Sequence, residues 1–244
     1  MSRSFCIAGQ SNFGVSVILD TLSDLFPGDL IQVDIVANIP PEQNDSLTFQ
    51  FACPGIEARE FYHTGWKPRV YEGYFAGSIG KSRRAIVAFF LEQFGLSADR
   101  YLPLIHPSAV CSRSAQLGHG VHISPMSVVA PHAVLGDFVV VNRQVSIGHH
   151  TRLGSFVTVN PGVNIAGCCE IGENVVLGAG ATVVDKITIG KGSIIGAGSV
   201  VTRPVPAGVV AANPGTAGSV PLPTVTGAEG GARRQSLLPS LLRT

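Results

Sequence analysis

His149 and His150 stand side by side in the chain, and His132 lies eighteen residues before His150. Imidazole has an ordinary pKa of about 6.5, so it takes or gives a proton near neutral pH. A histidine held in place at the protein surface is therefore a candidate general base. His119 and His122 add two more imidazoles to the same stretch, and Asn142 and Asn160 form a polar pair with the same interval of eighteen. Corner residues of these types also serve structure alone: histidines as solvated side chains, asparagines as partners of turn backbone.

The interval matters because the chain repeats. From Leu117 through Ile123, Val129, Leu135, Val141, Ile147 and Leu153 to Val201, every sixth residue is aliphatic, for fifteen consecutive hexads. The residue two places earlier is small or aliphatic as well (Ala115, Val121, Ser127, Ala133, Val139, Val145). Six matches neither the 3.6-residue helix nor the two-residue strand period; it is the hexapeptide signature of a parallel β-helix. Three hexads make an eighteen-residue coil, which gives five coils between Ser112 and Val201, stacked about 4.8 Å apart if they pair as strands do. The aliphatic columns then fill the interior and the corners face outward. His149 and His150 follow Ile147-Gly148 at such a corner, His132 is one coil below His150, and Gly167 is one coil above His149.

The first hundred residues are built differently. Phe5–Gly9 reads as a strand leading into the turn Gly9-Gln-Ser-Asn-Phe-Gly14. An apolar-periodic helix follows (Val15, Ile18, Leu19, Leu22, Leu25, Phe26), stopped by Pro27-Gly28. Leu30–Ala37 and Tyr71–Ala76 read as further strands, and Ser82 is placed to cap a helix running to Phe94 with Gly95 beyond it. The pattern predicts a small Rossmann-like parallel-sheet domain over residues 1–104, a β-helix over 105–213 and a flexible tail over 214–244. Within residues 39–70 only a strand near Leu47–Ala52 is assigned. Gly77-Ser-Ile-Gly-Lys-Ser82 imitates a phosphate-binding loop but has Phe75 where the first glycine is required.

Bulk properties narrow the field. A net charge of +1 gives no electrostatic case for nucleic acid or membrane binding. No apolar run approaches the roughly 18 to 20 residues of a membrane span. Five cysteines without a spacing framework suit reduced thiols in a cytoplasmic protein.

Three stretches then carry a family resemblance: the strand–Gly turn–helix at the start, the Leu104-Ile-His-Pro-Ser-Ala109 junction, and the hexapeptide block. Within the block, Val141-Asn-Arg-Gln-Val-Ser-Ile-Gly-His149, Ile165-Ala-Gly-Cys-Cys-Glu-Ile-Gly172 and Ile195-Gly-Ala-Gly-Ser-Val-Val-Thr202 match in turn. Over residues 3–213 the chain resembles the hexapeptide-repeat sugar acyltransferases, typified by sialic-acid O-acetyltransferases and the N-acetyltransferases of bacillosamine and perosamine biosynthesis. The resemblance implies a homotrimer of left-handed β-helices with acetyl-CoA as co-substrate in the groove between subunits and no metal. It further implies acetylation of an amino group on a nucleotide-linked sugar, with His149 as base and a main-chain N–H near Gly167 at the oxyanion. Asn142, Gly9, Ser11, Asn38 and Gly77 would meet the acceptor, Gly167, Ala179 and Ala197 the pantetheine, and Lys186, Lys191 and Arg203 the phosphates.

The chain departs from the pattern at marked places. His150 stands where an acid usually follows the catalytic histidine, Thr158 replaces a second histidine, Asn12 replaces the middle glycine of the first loop, and Asn38 replaces an acid. Ala212-Asn-Pro-Gly215 replaces the closing Gly-x-Pro-Ala. Three other readings are set beside the N-acetyltransferase: a sugar O-acetyltransferase, a non-catalytic trimeric scaffold or sugar-nucleotide binder, and a γ-type carbonic anhydrase. The last needs two zinc-ligating histidines five apart, and the histidines of the repeat offer no such pair.

Overall fold

The computed structural model describes residues 2–40, 53–212 and 220–221. The strand expected near Leu47–Ala52 lies among the residues outside that description. So does the tail expected beyond residue 213, apart from Val220–Pro221, which pairs antiparallel with Val209–Val210.

The N-terminal sheet is built around β1 (Ser2–Ala8), whose alternating side chains serve both faces. Its neighbours are β2 (Leu30–Ala37) and β4 (Gly73–Ala76), with β3 (Ile56–Tyr62) outside β2. The order is β3-β2-β1-β4, all parallel. Helix α1 (Asn12–Leu25) packs Val15, Ile18 and Leu22 against Phe5 and Ile7 on one face. Helix α2 (Arg83–Phe94) packs Ile86, Val87 and Phe90 against Cys6 and Ala8 on the other. Strand β3 was not read from the sequence because its Glu57, Arg59 and Glu60 break the apolar pattern, as suits an edge. Arg59 lies opposite Asp34 in register and donates to its carboxylate at 2.9 Å. The Ser82 side chain does not cap α2; its hydroxyl pairs with Ser78 Oγ at 2.8 Å.

Beyond Tyr101 the chain winds into a three-sided prism of two-residue strands. One face stacks Leu104–Ile105, His122–Ile123, Val140–Val141, Thr158–Val159, Val176–Leu177 and Ile194–Ile195. The next runs from Val110–Cys111 through Ser146–Ile147 to Val200–Val201, and the third from Gln116–Leu117 through Arg152–Leu153 to Thr188–Ile189. The second residue of each strand and the residue two before it fill a dry interior that includes Val121, Ile123, Val145, Ile147, Val157 and Val159. Coil geometry begins before the hexad run, because Leu104–Ile105 already pairs with His122–Ile123. At the far end Ile194–Ile195 pairs with Val210–Ala211, a step two residues short of a coil.

The corners explain why six residues suffice for a side. Every sixth residue from Gly120 to Gly198 takes a left-handed backbone conformation, including the non-glycines Met126, His132, Phe138, Gln144, His150, Phe156, Cys168, Asn174 and Lys186. Each such non-glycine residue costs roughly 1–2 kcal/mol, which the stacked interior offsets.

The N-terminal unit rests on the first face. Arg83, 2 % exposed, reaches across from the start of α2. It donates to the carbonyls of Phe138 at 2.9 Å and Phe156 at 3.2 Å, and to Thr158 Oγ1 at 3.2 Å. Tyr101, Phe138 and Phe156 join the α2 side of the sheet in one apolar cluster. Sequence reading missed this role of Arg83; an arginine beginning an otherwise apolar helix was the available signal.

Candidate active site

Ile147 is committed to the interior, and Gly148 behind it leaves the turn residues His149 and His150 pointing outward. The position of Gly148 permits no side chain, since a Cβ would lie 2.4 Å from the Ala166 carbonyl carbon. His149 lays its ring across the coil above: a Cβ on Gly167 would meet its Cε1 and Nε2 at 2.7 Å. The expected stacking of Gly167 over His149 is therefore direct contact between ring and main chain. The carbonyl of His149 accepts the Cys168 N–H at 2.8 Å, which ties the two coils at this point. The Gly167 N–H donates to no group among the described residues.

The two imidazoles meet. His149 Nδ1 lies 3.1 Å from His150 Nδ1, with the rings near perpendicular at 84°. His150 in turn packs on His132, ring centroids 4.8 Å apart. Among the described residues no carboxylate hydrogen-bonds any of these three rings. His122 is elsewhere, buried under the N-terminal unit, where desolvation, then Arg83 and His106, push its pKa down to about 4. Such an imidazole is neutral near pH 7 and is set apart from the exposed corner histidines. Thr158, nine residues beyond His149, is buried beneath Arg83 on that same covered face.

The remaining expected residues fall into separate groups. Gly9, Ser11 and Gly77 come together just past the ends of β1 and β4. Ser11 N–H donates to Gly77 O at 3.0 Å, and a Cβ on Gly77 would sit 1.9 Å from Gly9 O. Strands on either side of this point are reached by connections running in opposite directions. It is the switch-point crevice where open α/β sheets bind ligands. Asn38 follows the end of β2, one strand over.

Asn142 lies on the edge between the covered face and the second face, and its amide donates to Val159 O at 3.1 Å; Asn160 repeats this to Leu177 O at 2.8 Å. The asparagine ladder thus satisfies backbone with its N–H groups and leaves the Asn142 oxygen available. Ala179 and Ala197 are exposed on that same edge, higher up. Gly167 sits with His149 on the edge opposite the covered face, as do Lys186 and Arg203, whereas Lys191 lies on the third edge. Within one chain the switch-point crevice and His149 are therefore on opposite sides of the prism.

Residues 150–185 and 168–203 match the family model of the bacterial transferase hexapeptide, six repeats. The matched residues lie within the prism and carry its repeat. No curated protein sequence matches it significantly. Among solved structures, PerB from Caulobacter crescentus, in complex with CoA and GDP-perosamine, is 26% identical; the match covers 86% of this chain and 93% of that one with a TM-score of 0.66. The acetyltransferase domain of PglB from Neisseria gonorrhoeae, in complex with acetyl coenzyme A, is 24% identical over 91% of this chain and 100% of that one, TM-score 0.70. WeeI from Acinetobacter baumannii is 22% identical over 86% and 96%, TM-score 0.68. The hexapeptide prism is thus the left-handed parallel β-helix expected from the resemblance, preceded by a small parallel sheet. Among the described residues no helix is long and apolar enough to cross a membrane.

Proposed function

We propose that this protein is a cytoplasmic, acetyl-CoA-dependent N-acetyltransferase acting on the amino group of a nucleotide-linked sugar. The observation that carries the reading is the His149 imidazole held at an outward corner against the Gly167 main chain. His149 Nε2 accepts the amine proton as the nitrogen attacks the thioester carbonyl. The C–N bond forms, the tetrahedral oxyanion is met by a main-chain N–H near Gly167, and the C–S bond breaks. The proton then leaves Nε2 for the departing thiolate. No enzyme nucleophile is needed, and none is paired with a base at this corner.

Support for the thioester's location comes from Gly167 on the His149 edge of one copy and from Ala179 and Ala197 on the other edge of a neighbouring copy, corners without bulk where a long ligand can approach main chain. The crevice of Gly9, Ser11 and Gly77, with Asn38 beside it, suits the nucleotide, and Asn142 Oδ1 suits the sugar. Because crevice and base are on opposite sides of one prism, the working unit is a homotrimer in which a neighbouring copy completes the site. One face fits that role: its outward column Val110, Val128, Ser146, Asn164, Thr182 and Val200 carries no charge, and Val110 is 63% and Val200 47% exposed. The other free face carries the Arg152–Glu170 pair.

The test is incubation with acetyl-CoA and a panel of UDP-, GDP- and dTDP-linked amino sugars, following thiol release. His149→Ala should lower turnover by about 100- to 10,000-fold with an unchanged circular dichroism spectrum. Flat traces with every acceptor and no CoA binding would favour a scaffold.

A further inference from the structure

Nothing acidic serves the His149 imidazole among the described residues, and its Nδ1 faces a second imidazole instead. We propose that His150 is the positioning residue of this site, fixing the tautomer of His149; the inference rests on the reading of His149 as the base.

The argument is one of hydrogen counting. Neutral imidazole carries one N–H, on either Nδ1 or Nε2. Two Nδ1 atoms at 3.1 Å attract only when one hydrogen lies between them. When His149 supplies that hydrogen, its Nε2 is left as a bare lone pair, which is the form a general base needs. When His150 supplies it, His149 holds its own hydrogen on Nε2 and cannot accept the amine proton. The productive arrangement therefore has His149 Nδ1–H donating to His150 Nδ1, and His150 carrying its hydrogen on Nε2.

The arrangement also strengthens as the reaction proceeds. Once Nε2 has taken the amine proton, His149 is an imidazolium whose Nδ1–H donates to a neutral acceptor, a charge-assisted bond stronger than the neutral one. That gain appears only as charge develops, so it acts on turnover rather than on substrate binding. The proton on Nε2 still goes to the departing thiolate, and His150 ends the cycle as it began.

Two features hold His150 in place. Its Nδ1 meets His149 Nδ1 at 3.1 Å with the two rings at 84°, and the His132 ring one coil below packs against it at 4.8 Å between centroids. The column continues upward through Cys168 and Lys186, also at left-handed φ. The ring of His150 is thus supported from below by an aromatic surface and aimed sideways at the base.

The experiment compares His150→Phe, which keeps a ring over His132 but has no acceptor, with His150→Asn, which suits left-handed backbone and offers an amide oxygen. In ¹⁵N-histidine-labelled wild type, His149 should show a protonated Nδ1 and an unprotonated Nε2. His150→Phe should shift that population toward Nε2–H, lower kcat about 100-fold and move KM for either substrate by no more than about threefold. His150→Asn should recover most of the lost kcat. A wild-type His149 holding its hydrogen on Nε2, or a folded His150→Phe enzyme as active as wild type, overturns the inference. Because the tautomer is read without turnover, a correct tautomer in a protein that releases no thiol with any acceptor would sink the acetyltransferase reading instead.

Discussion

Gly167→Ala isolates the contact on which the proposed chemistry of His149 depends. The added Cβ would lie 2.7 Å from Cε1 and Nε2 of His149, and ordinary contact begins near 3.4 Å, so something must give by about 0.7 Å. The atoms in the way belong to an exposed side chain rather than to backbone, so the ring moves and the coil does not. The stability cost is small, and it is offset by the roughly 0.4–1 kcal/mol that replacing glycine gains through the unfolded chain where the backbone tolerates it. The chemical cost is large: a displacement near 1 Å of a reacting group is worth on the order of 100-fold. The assay is thiol release with the best acceptor of the panel, paired with a thermal melt. We expect kcat to fall about 100-fold with the melting temperature shifted by less than about 3 °C. Gly148→Ala is the contrasting substitution, since its Cβ would strike the Ala166 carbonyl carbon at 2.4 Å and the Gly167 nitrogen at 2.6 Å. That variant should lose stability outright. A Gly167→Ala protein that keeps half or more of wild-type turnover would refute the claim that the ring works from its place against the main chain.

Other expectations follow from burial and docking. Ile147→Ala, at a fully buried position in the stacked interior, should cost about 2–5 kcal/mol in urea unfolding by leaving a cavity. Arg83→Met removes the donor that serves Phe138 O, Phe156 O and Thr158 Oγ1, and should cost about 2–4 kcal/mol and make the N-terminal unit cleavable by protease under native conditions. Stability should fall with acid through His122. Its folded pKa of about 4 is below the unfolded value of 6.5, so the unfolded chain binds the extra proton between those values and stability drops as pH decreases through that window. The wild type should lose about 2 kcal/mol more between pH 7 and pH 5 than His122→Leu, read from urea midpoints; parallel losses in the two proteins would count against it.

The corner arrangement was legible because stacking in a β-helix is a fixed step along the chain. Once a period of six is seen, a step of eighteen names the neighbour above: Gly167 over His149 and His150 over His132 both follow from counting. The strand–turn–helix start was legible for the same reason, its signals being local. Other features depended on groups far apart in sequence. That His149 and His150 join through Nδ1 rather than diverge is a matter of side-chain torsions at a left-handed corner, about which residue type says little.

The sequence by itself thus determined the prism, its dry interior and which residues share a corner, because each of these repeats with local spacing. Only tertiary structure decided which face the N-terminal unit covers. That choice is made by Arg83 reaching carbonyls 55 and 73 residues away, and it puts the switch-point crevice and His149 on opposite sides of one chain. It also assigned β3 to the sheet edge through the Arg59–Asp34 contact and sent Ala179 and Ala197 to a different edge from Gly167. Contacts between distant residues follow shape and charge in three dimensions, and no period in the chain records them.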